Sequence, residues 1–315
     1  CRTGSDCIEG VKHMAGQSAG CQTEASVFQN REISGGEAVR CAAQYLAAHQ
    51  IEDADNDAWL LFSYVTHITR AMFLAERRAR MDQEALERYE ALLVRRAAHI
   101  PLQHLTGEQN FMGLDFLVNE HVLIPRQDTE ILVEEIMRDL HDGIRILDMC
   151  TGSGCILLSL LHYSNDCSGV GVDVSEDALA VARQNADRLA EKQAVFIQSD
   201  LFEKVEGSFD LIVSNPPYIR SQEIAGLMPE VREHEPHLAL DGKDDGLHFY
   251  REIIKGAMPH LKRGGQLFFE IGYDQGEAVQ ALLAANGYTE IAVVKDYARL
   301  DRVVYGTFLG GSSNV

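Results

Sequence analysis

Between Gly143 and Phe308 short apolar segments and amphipathic helical ones take turns, and few architectures accommodate that rhythm. Ile144–Asp148, Val170–Asp173, Val195–Gln198, Phe209–Val213 and Gln266–Glu270 each read as a short buried strand. Helical periods run through Leu161, over Ala178–Leu189, over Phe249–Met258 and over Ala278–Ala285. Two last strands, Glu290–Val294 and Arg302–Phe308, are separated only by Lys295–Asp301, so they can pair only antiparallel. The expectation is an α/β fold. Its sheet has seven strands, mostly parallel with the last antiparallel, and helices cover both faces.

The part before Gly143 has another period. Residues 1–36 carry no sustained pattern and are expected to be a disordered extension, as 310–315 are expected to be a tail. Residues 37–100 read as a small helical domain. Val39 and Leu46 form one stripe. Leu61, Val65, Ile68 and Met72 form a second, capped by Asp55 or Asn56, and Leu86, Tyr89, Leu92, Leu93 and Ala97 a third that Pro101 stops. Arg77, Arg78 and Arg80 form either a docking patch or a solvated helix face. Residues 101–126, with Phe111, Phe116, Val118, Val122 and Ile124 around Gly113, are expected to form a β-hairpin linker. Residues 127–309 then make the second domain, opened by a helix carrying Ile131, Leu132, Ile136 and Leu140.

Composition removes several function classes. A net charge of −20 lacks the basic excess on which phosphate-backbone binding depends, so no direct nucleic-acid partner is expected. No apolar run approaches a membrane span and no secretory leader opens the sequence, so the expected location is cytoplasmic. The seven cysteines are odd in number, scattered, and contain no C-x-x-C, which favours reduced thiols over a disulfide framework or zinc site. A nucleophilic Cys150 or Cys155 lacks a paired His in a fixed context. Pro236 splits the helix that would align His234 with His237, so no metal site is expected.

In a sheet of this kind ligands bind beyond the carboxyl ends of the strands. The first strand is followed by Cys150, Thr151, Gly152, Ser153 and Gly154, either a ligand-approaching turn or a plain strand-to-helix turn. Leu157 stands where a dinucleotide fingerprint needs its third glycine. Asp173 ends the second strand, either to accept both hydroxyls of a ribose or to cap the next helix. Asp200 and Leu201 follow the third, either to take an adenine amino group and pack on its ring or as loop residues. Together, in order, they describe a pocket for an adenosyl group without a pyrophosphate, which favours S-adenosylmethionine over NAD.

The fourth strand ends in Asn215-Pro216-Pro217-Tyr218. The prolines stiffen the backbone. The Asn215 side-chain oxygen and the Pro216 carbonyl can then accept both hydrogens of one planar NH2 group, on which Tyr218 can stack. An amide nitrogen is a poor nucleophile because its lone pair is delocalised. Two aimed acceptors raise its electron density and orient it for in-line displacement at a sulfonium methyl.

Asn215-Pro216-Pro217-Tyr218 with the Gly152/Gly154 turn resembles class I S-adenosylmethionine-dependent methyltransferases that modify planar nitrogen. Further segments narrow the resemblance: Pro101-Leu-Gln-His-Leu-Thr-Gly-Glu108, Ile124-Pro-Arg-Gln-Asp-Thr-Glu130, Leu227-Met-Pro-Glu-Val-Arg232, His234-Glu-Pro-His-Leu-Ala-Leu-Asp241, Phe269-Glu-Ile-Gly-Tyr-Asp274, Lys295-Asp296 and Asp301-Arg302. Over about residues 37–309 the chain is similar to the PrmC (HemK) family, the bacterial peptide chain release factor N5-glutamine methyltransferases. The resemblance implies methyl transfer from S-adenosylmethionine to the glutamine of the Gly-Gly-Gln tripeptide in class I release factors. It implies a cofactor lined by Cys150 to Gly154, Asp173, Leu201 and Asn215, and a substrate amide held by Asn215 to Tyr218. It also implies a helical N-terminal domain that grips the release factor, and it places Arg126 near the active site without giving it a role. Cys150 stands where many relatives carry glycine, which a negative φ would tolerate. The competing expectations are a glutamine methyltransferase of a ribosomal protein, an adenine-N6 nucleic-acid methyltransferase, and a non-catalytic scaffold that binds S-adenosylmethionine.

Overall fold

The computed structural model describes residues 26–28 and 32–310. These fall into two compact units that part at Thr106/Gly107.

The first unit is helical: α1 (Gly35–Ala48), α2 (Ala54–Thr66), α3 (Arg70–Glu76), α4 (Gln83–Ala97) and α5 (Leu102–Thr106). A capping box opens α1, because Ser34 Oγ accepts from the Glu37 amide and the Glu37 carboxylate accepts from the Ser34 amide. Its Ala38, Ala42 and Leu46 face Leu61 and Phe62 of α2 and Leu86, Tyr89 and Leu93 of α4 in one core. The second stripe differs from expectation. His67, at φ 57°, ends α2 in the left-handed region, and Thr69 caps a separate α3. Met72 is therefore exposed rather than part of a continuous apolar face. Asp53 is the N-cap of α2, in place of Asp55 or Asn56. Part of the extension expected to be disordered is packed: Phe28 is buried and stacks on Tyr89 at 5.8 Å, and Ile33 joins the same core. Residues 1–25, with Cys1, Cys7 and Cys21, and the tail residues 311–315 lie outside the described residues.

The second unit opens with a hairpin, β1 (Glu108–Phe111) and β2 (Leu114–Leu117), shorter than the 101–126 expected because Leu102–Thr106 is helical. Met112 and Gly113, at φ 52° and 76°, form its two-residue turn, a twist that suits a tight hairpin. There follow α6 (Gln127–Arg138), β3 (Arg145–Met149), α7 (Cys155–His162), β4 (Ser168–Asp173), α8 (Glu176–Leu189), β5 (Ala194–Gln198) and β6 (Phe209–Ser214). A 3-10 turn (Ser221–Gly226) and the short helices α9 (Pro229–His234) and α10 (His237–Leu240) lead to α11 (His248–Ala257). The unit ends with β7 (Leu261–Glu270), α12 (Gly276–Ala285), β8 (Tyr288–Lys295) and β9 (Asp301–Phe308).

The seven strands lie in the order β5-β4-β3-β6-β7-β9-β8. All neighbours from β5 to β7 are parallel, whereas β9 runs antiparallel to both β7 and β8. Successive residues of one strand enter opposite cores, as the two-residue period requires. Leu147, Ile212, Leu267 and Phe269 meet α11 and α12, while Ile146, Leu211, Val213 and Phe268 meet α6 and α7. This is the expected seven-stranded, mostly parallel sheet with its last strand antiparallel. The chain turns back past β3 to place β6 on its other side, so the switch point lies between β3 and β6.

Candidate active site

A cleft with about 1030 Å³ of empty space, part of it open to solvent, lies at that switch point. Its walls include Cys150–Ser153 after β3, Asp173 at the end of β4, Asp200 and Leu201 after β5, and Asn215 and Pro217 after β6. Gly154, Pro216 and Tyr218 are not among the lining residues. Gly154 instead caps α7 at φ 79°, where a Cβ would press on Leu158 at 3.1 Å. Pro216 is buried, and the half-buried Tyr218 packs on the core beneath the sheet.

Asp173 organises the glycine turn. One of its carboxylate oxygens accepts from the Gly152 amide at 3.0 Å and the other from the Ser175 amide at 3.0 Å. Ser175, not Asp173, caps α8. Burial raises the pKa of Asp173 above the ordinary value against these amide contacts, which pull the other way. Cys150 corrects an expectation. Its φ is 62°, in the left-handed region, and not negative. Burial, reinforced by Asp173 and Asp148, pushes the Cys150 thiol far up, and burial takes Cys155 to about 12. Neither is a poised nucleophile. His234 and His237 lie in separate helices on either side of Pro236, and no His, Cys, Asp and Glu cluster able to hold a metal occurs among the described residues.

Several residues that build the site carry no individual pattern in the sequence. Four members of the segment Ile124–Glu130 each tie the start of α6 to a different element. Arg126 pairs with the buried Glu235 between α9 and α10. Asp128 pairs with Arg302 of β9 at 3.0 Å. Thr129 accepts from Asn215 Nδ2 at 3.3 Å, and Glu130 accepts from the Met112 amide in the hairpin turn at 2.7 Å. Asn185 of α8, fully buried, donates to the carbonyls of Leu117 and Ser153 and accepts from the Leu117 amide, so it joins hairpin to glycine turn. Gln275 donates to the Tyr218 carbonyl at 3.0 Å, and Ile219 pairs with Asp241 in a bridge beside it. The segment after Asn215 is thus held from two sides.

Around Tyr218 the groups are coupled. Its hydroxyl donates to Glu270 at 3.4 Å, and burial with that carboxylate alongside keeps the phenol neutral by raising its pKa well above the ordinary range. Burial likewise raises Glu270 to about 6, opposed by the Thr129 hydroxyl and by Arg302.

The walls fit an adenosyl group. The carboxylates of Asp173 and Asp200 offer acceptors for hydroxyl and amino donors, and Leu201 and Phe249 offer apolar surface for a flat ring. The arginine of the wall, Arg126, is engaged by Glu235.

The chain is similar to known proteins over most of its length. Residues 37–107 match the model of the PrmC N-terminal domain, and residues 126–233 that of the methyltransferase small domain. A release factor glutamine methyltransferase of Geobacter sulfurreducens is 40% identical over 263 residues, 83% of this chain and 92% of that protein. One of Moorella thermoacetica is 43% identical over 272 residues, covering 85% and 94% of the two chains. One of Agrobacterium fabrum is 40% identical over 285 residues, covering 86% and 99%. Among the described residues no helix is long and apolar enough to cross a membrane.

Proposed function

The chain belongs to the release factor glutamine methyltransferases, and from that premise we propose that it methylates the side-chain nitrogen, N5, of the glutamine in the Gly-Gly-Gln motif of class I peptide chain release factors. The modification would modulate translation termination in the cytoplasm. When bound, S-adenosylmethionine supplies an electrophilic methyl carbon on a sulfonium.

The chain's own residues do the rest. Asp173 takes the ribose hydroxyls, Asp200 the adenine amino group, and Leu201 the face of the ring, beside the turn from Cys150 to Gly154. Asn215 carries the reading. It borders the cleft with its Nδ2 committed to Thr129, so Oδ1 is the amide atom available to an incoming N–H. With the Pro216 carbonyl it accepts both hydrogens of the substrate carboxamide; Pro217 borders the plane of that group from the cleft wall, and Tyr218, packed on the core behind it with its hydroxyl on Glu270, fixes the segment. As the nitrogen pyramidalises, its hydrogens become more acidic and these two bonds strengthen, which lowers the barrier where charge develops. No strong base is needed, because the proton leaves after transfer. To the helical unit we assign the grip on the release factor away from the chemistry.

The test is incubation with methyl-labelled S-adenosylmethionine and, in turn, a class I release factor, ribosomal proteins and duplex DNA. Label on the release factor glutamine is expected. Label on a ribosomal protein or on DNA alone overturns the assignment.

A further inference from the structure

We propose that Gln275 is a positioning residue that fixes the direction of the Pro216 carbonyl by holding the far end of its segment, an inference resting on the reading that Asn215 and Pro216 hold the substrate carboxamide. Pro216 and Pro217 have no N–H, so the segment cannot brace itself at those two positions through backbone donors. With φ fixed at both prolines, the direction of the carbonyl between them follows from where the two ends of the segment are pinned.

Each end is tied to a strand that flanks β6, or to the turn directly beyond it. At the start, the fully buried Ser214 donates from Oγ to the Met149 carbonyl of β3 at 2.6 Å. At the finish stands Gln275, the N-cap residue of α12, five residues beyond β7. Its Nε2 donates to the Tyr218 carbonyl at 3.0 Å and to the Gly246 carbonyl at 3.3 Å, while its Oε1 accepts from the Gly272 amide at 2.9 Å. All three partners are backbone groups whose donor or acceptor role cannot change, so the Gln275 amide has one orientation. Gln275 is 3% exposed, and water does not take its place. The stretch from Gly242 to Gly246 presses on the same backbone. A Cβ on Gly242 would lie 2.7 Å from the Tyr218 Cα and carbonyl carbon. One on Gly246, at φ 74°, would lie 2.5 Å from the Tyr218 carbonyl oxygen and 2.7 Å from Gln275 Nε2. The Tyr218 carbonyl is therefore held without slack by groups that come from outside its own loop.

The experiment measures methylation of a release factor by Gln275→Met, Gly242→Ala and Asn215→Ala, with cofactor affinity by calorimetry as the check on folding. Gln275→Met keeps the length of the side chain and removes the donor to Tyr218. Gly242→Ala leaves Gln275 in place and displaces the Tyr218 backbone through a different contact. A misdirected acceptor costs most in the transition state, where the amide hydrogens are most acidic. Both variants are therefore expected to lower kcat about tenfold to a hundredfold, while the KM for release factor and the cofactor affinity stay within about threefold. Full kcat in either variant overturns the proposal. So does a loss of cofactor affinity in Gln275→Met that matches its loss of kcat, which would assign Gln275 to packing. If Asn215→Ala stays active, the underlying reading fails instead. If Asn215→Ala is dead while Gln275→Met is unaffected, only the positioning role fails.

Discussion

Cys150 sits where a side chain is disfavoured: a residue with a Cβ at positive φ costs about 1–2 kcal/mol relative to ordinary backbone. The turn holds it there through the Thr151 amide on the Val172 carbonyl and the Gly152 amide on Asp173. Asp173 serves the turn, and in the proposed reading it holds the cofactor as well. Asp173→Ala strands the Gly152 amide and removes the acceptor assigned to the ribose, so cofactor affinity is expected to fall about tenfold to a hundredfold, or about 1.4–2.8 kcal/mol. Titration calorimetry reads this directly, and unchanged affinity would remove Asp173 from the cofactor site. That Asp173, Asn215 and Pro217 come to the cleft was legible in the sequence because they lie at or directly beyond the end of an apolar run that is sharply marked. The sign of φ at Cys150 was not, because nothing in a cysteine advertises a left-handed conformation.

Elements meet at buried polar side chains that the periodicity of the chain cannot reveal. Asn185 lies on the buried face of α8 among Ala178, Leu179, Val181 and Ala182, where the apolar pattern alone would place another hydrophobe. Its three hydrogen bonds join β2 to the glycine turn. Asn185→Leu leaves two carbonyls and an amide buried without partners and is expected to lower stability by about 3 kcal/mol. A urea midpoint unchanged from the parent would show that the hairpin docks by its apolar residues Phe111 and Phe116 alone. The Ile124–Glu130 segment gives the same lesson. Its resemblance to a family was visible, but the contacts of Arg126, Asp128, Thr129 and Glu130 run to residues between 18 and 174 positions distant or on separate elements, and only the fold pairs them. The break between α2 and α3 was hidden for a related reason. Ile68 and Met72 continue an apolar spacing that His67 interrupts by conformation rather than by composition.

At the scale of the molecule, the alternation of strands and helices was enough to anticipate the seven-stranded sheet and its antiparallel last strand. The order of the strands needed tertiary packing. The chain crosses over from β7 through α12 to the edge strand β8, and a short connection then brings β9 back antiparallel between the two. At the centre of that sheet Asp148 is fully buried, bound by the Thr151 hydroxyl at 2.6 Å, and burial raises it from an ordinary 3.8 to about 7. Between about pH 4 and 7 the unfolded chain has lost this proton and the folded one keeps it, so the contribution of Asp148 to stability is full below pH 4 and is lost as pH rises to 7. Asp148→Asn does not titrate. Its stability relative to the parent is expected to rise across that window in urea unfolding at stepped pH, and a constant difference would contradict the assignment. The central claim concerns Asn215, and a crystal structure with S-adenosylhomocysteine and a Gly-Gly-Gln peptide tests it most directly. The expected result is the glutamine NH2 between Asn215 Oδ1 and the Pro216 carbonyl, with its nitrogen toward the sulfur. A glutamine bound elsewhere, or with its NH2 turned away from both oxygens, would contradict the account.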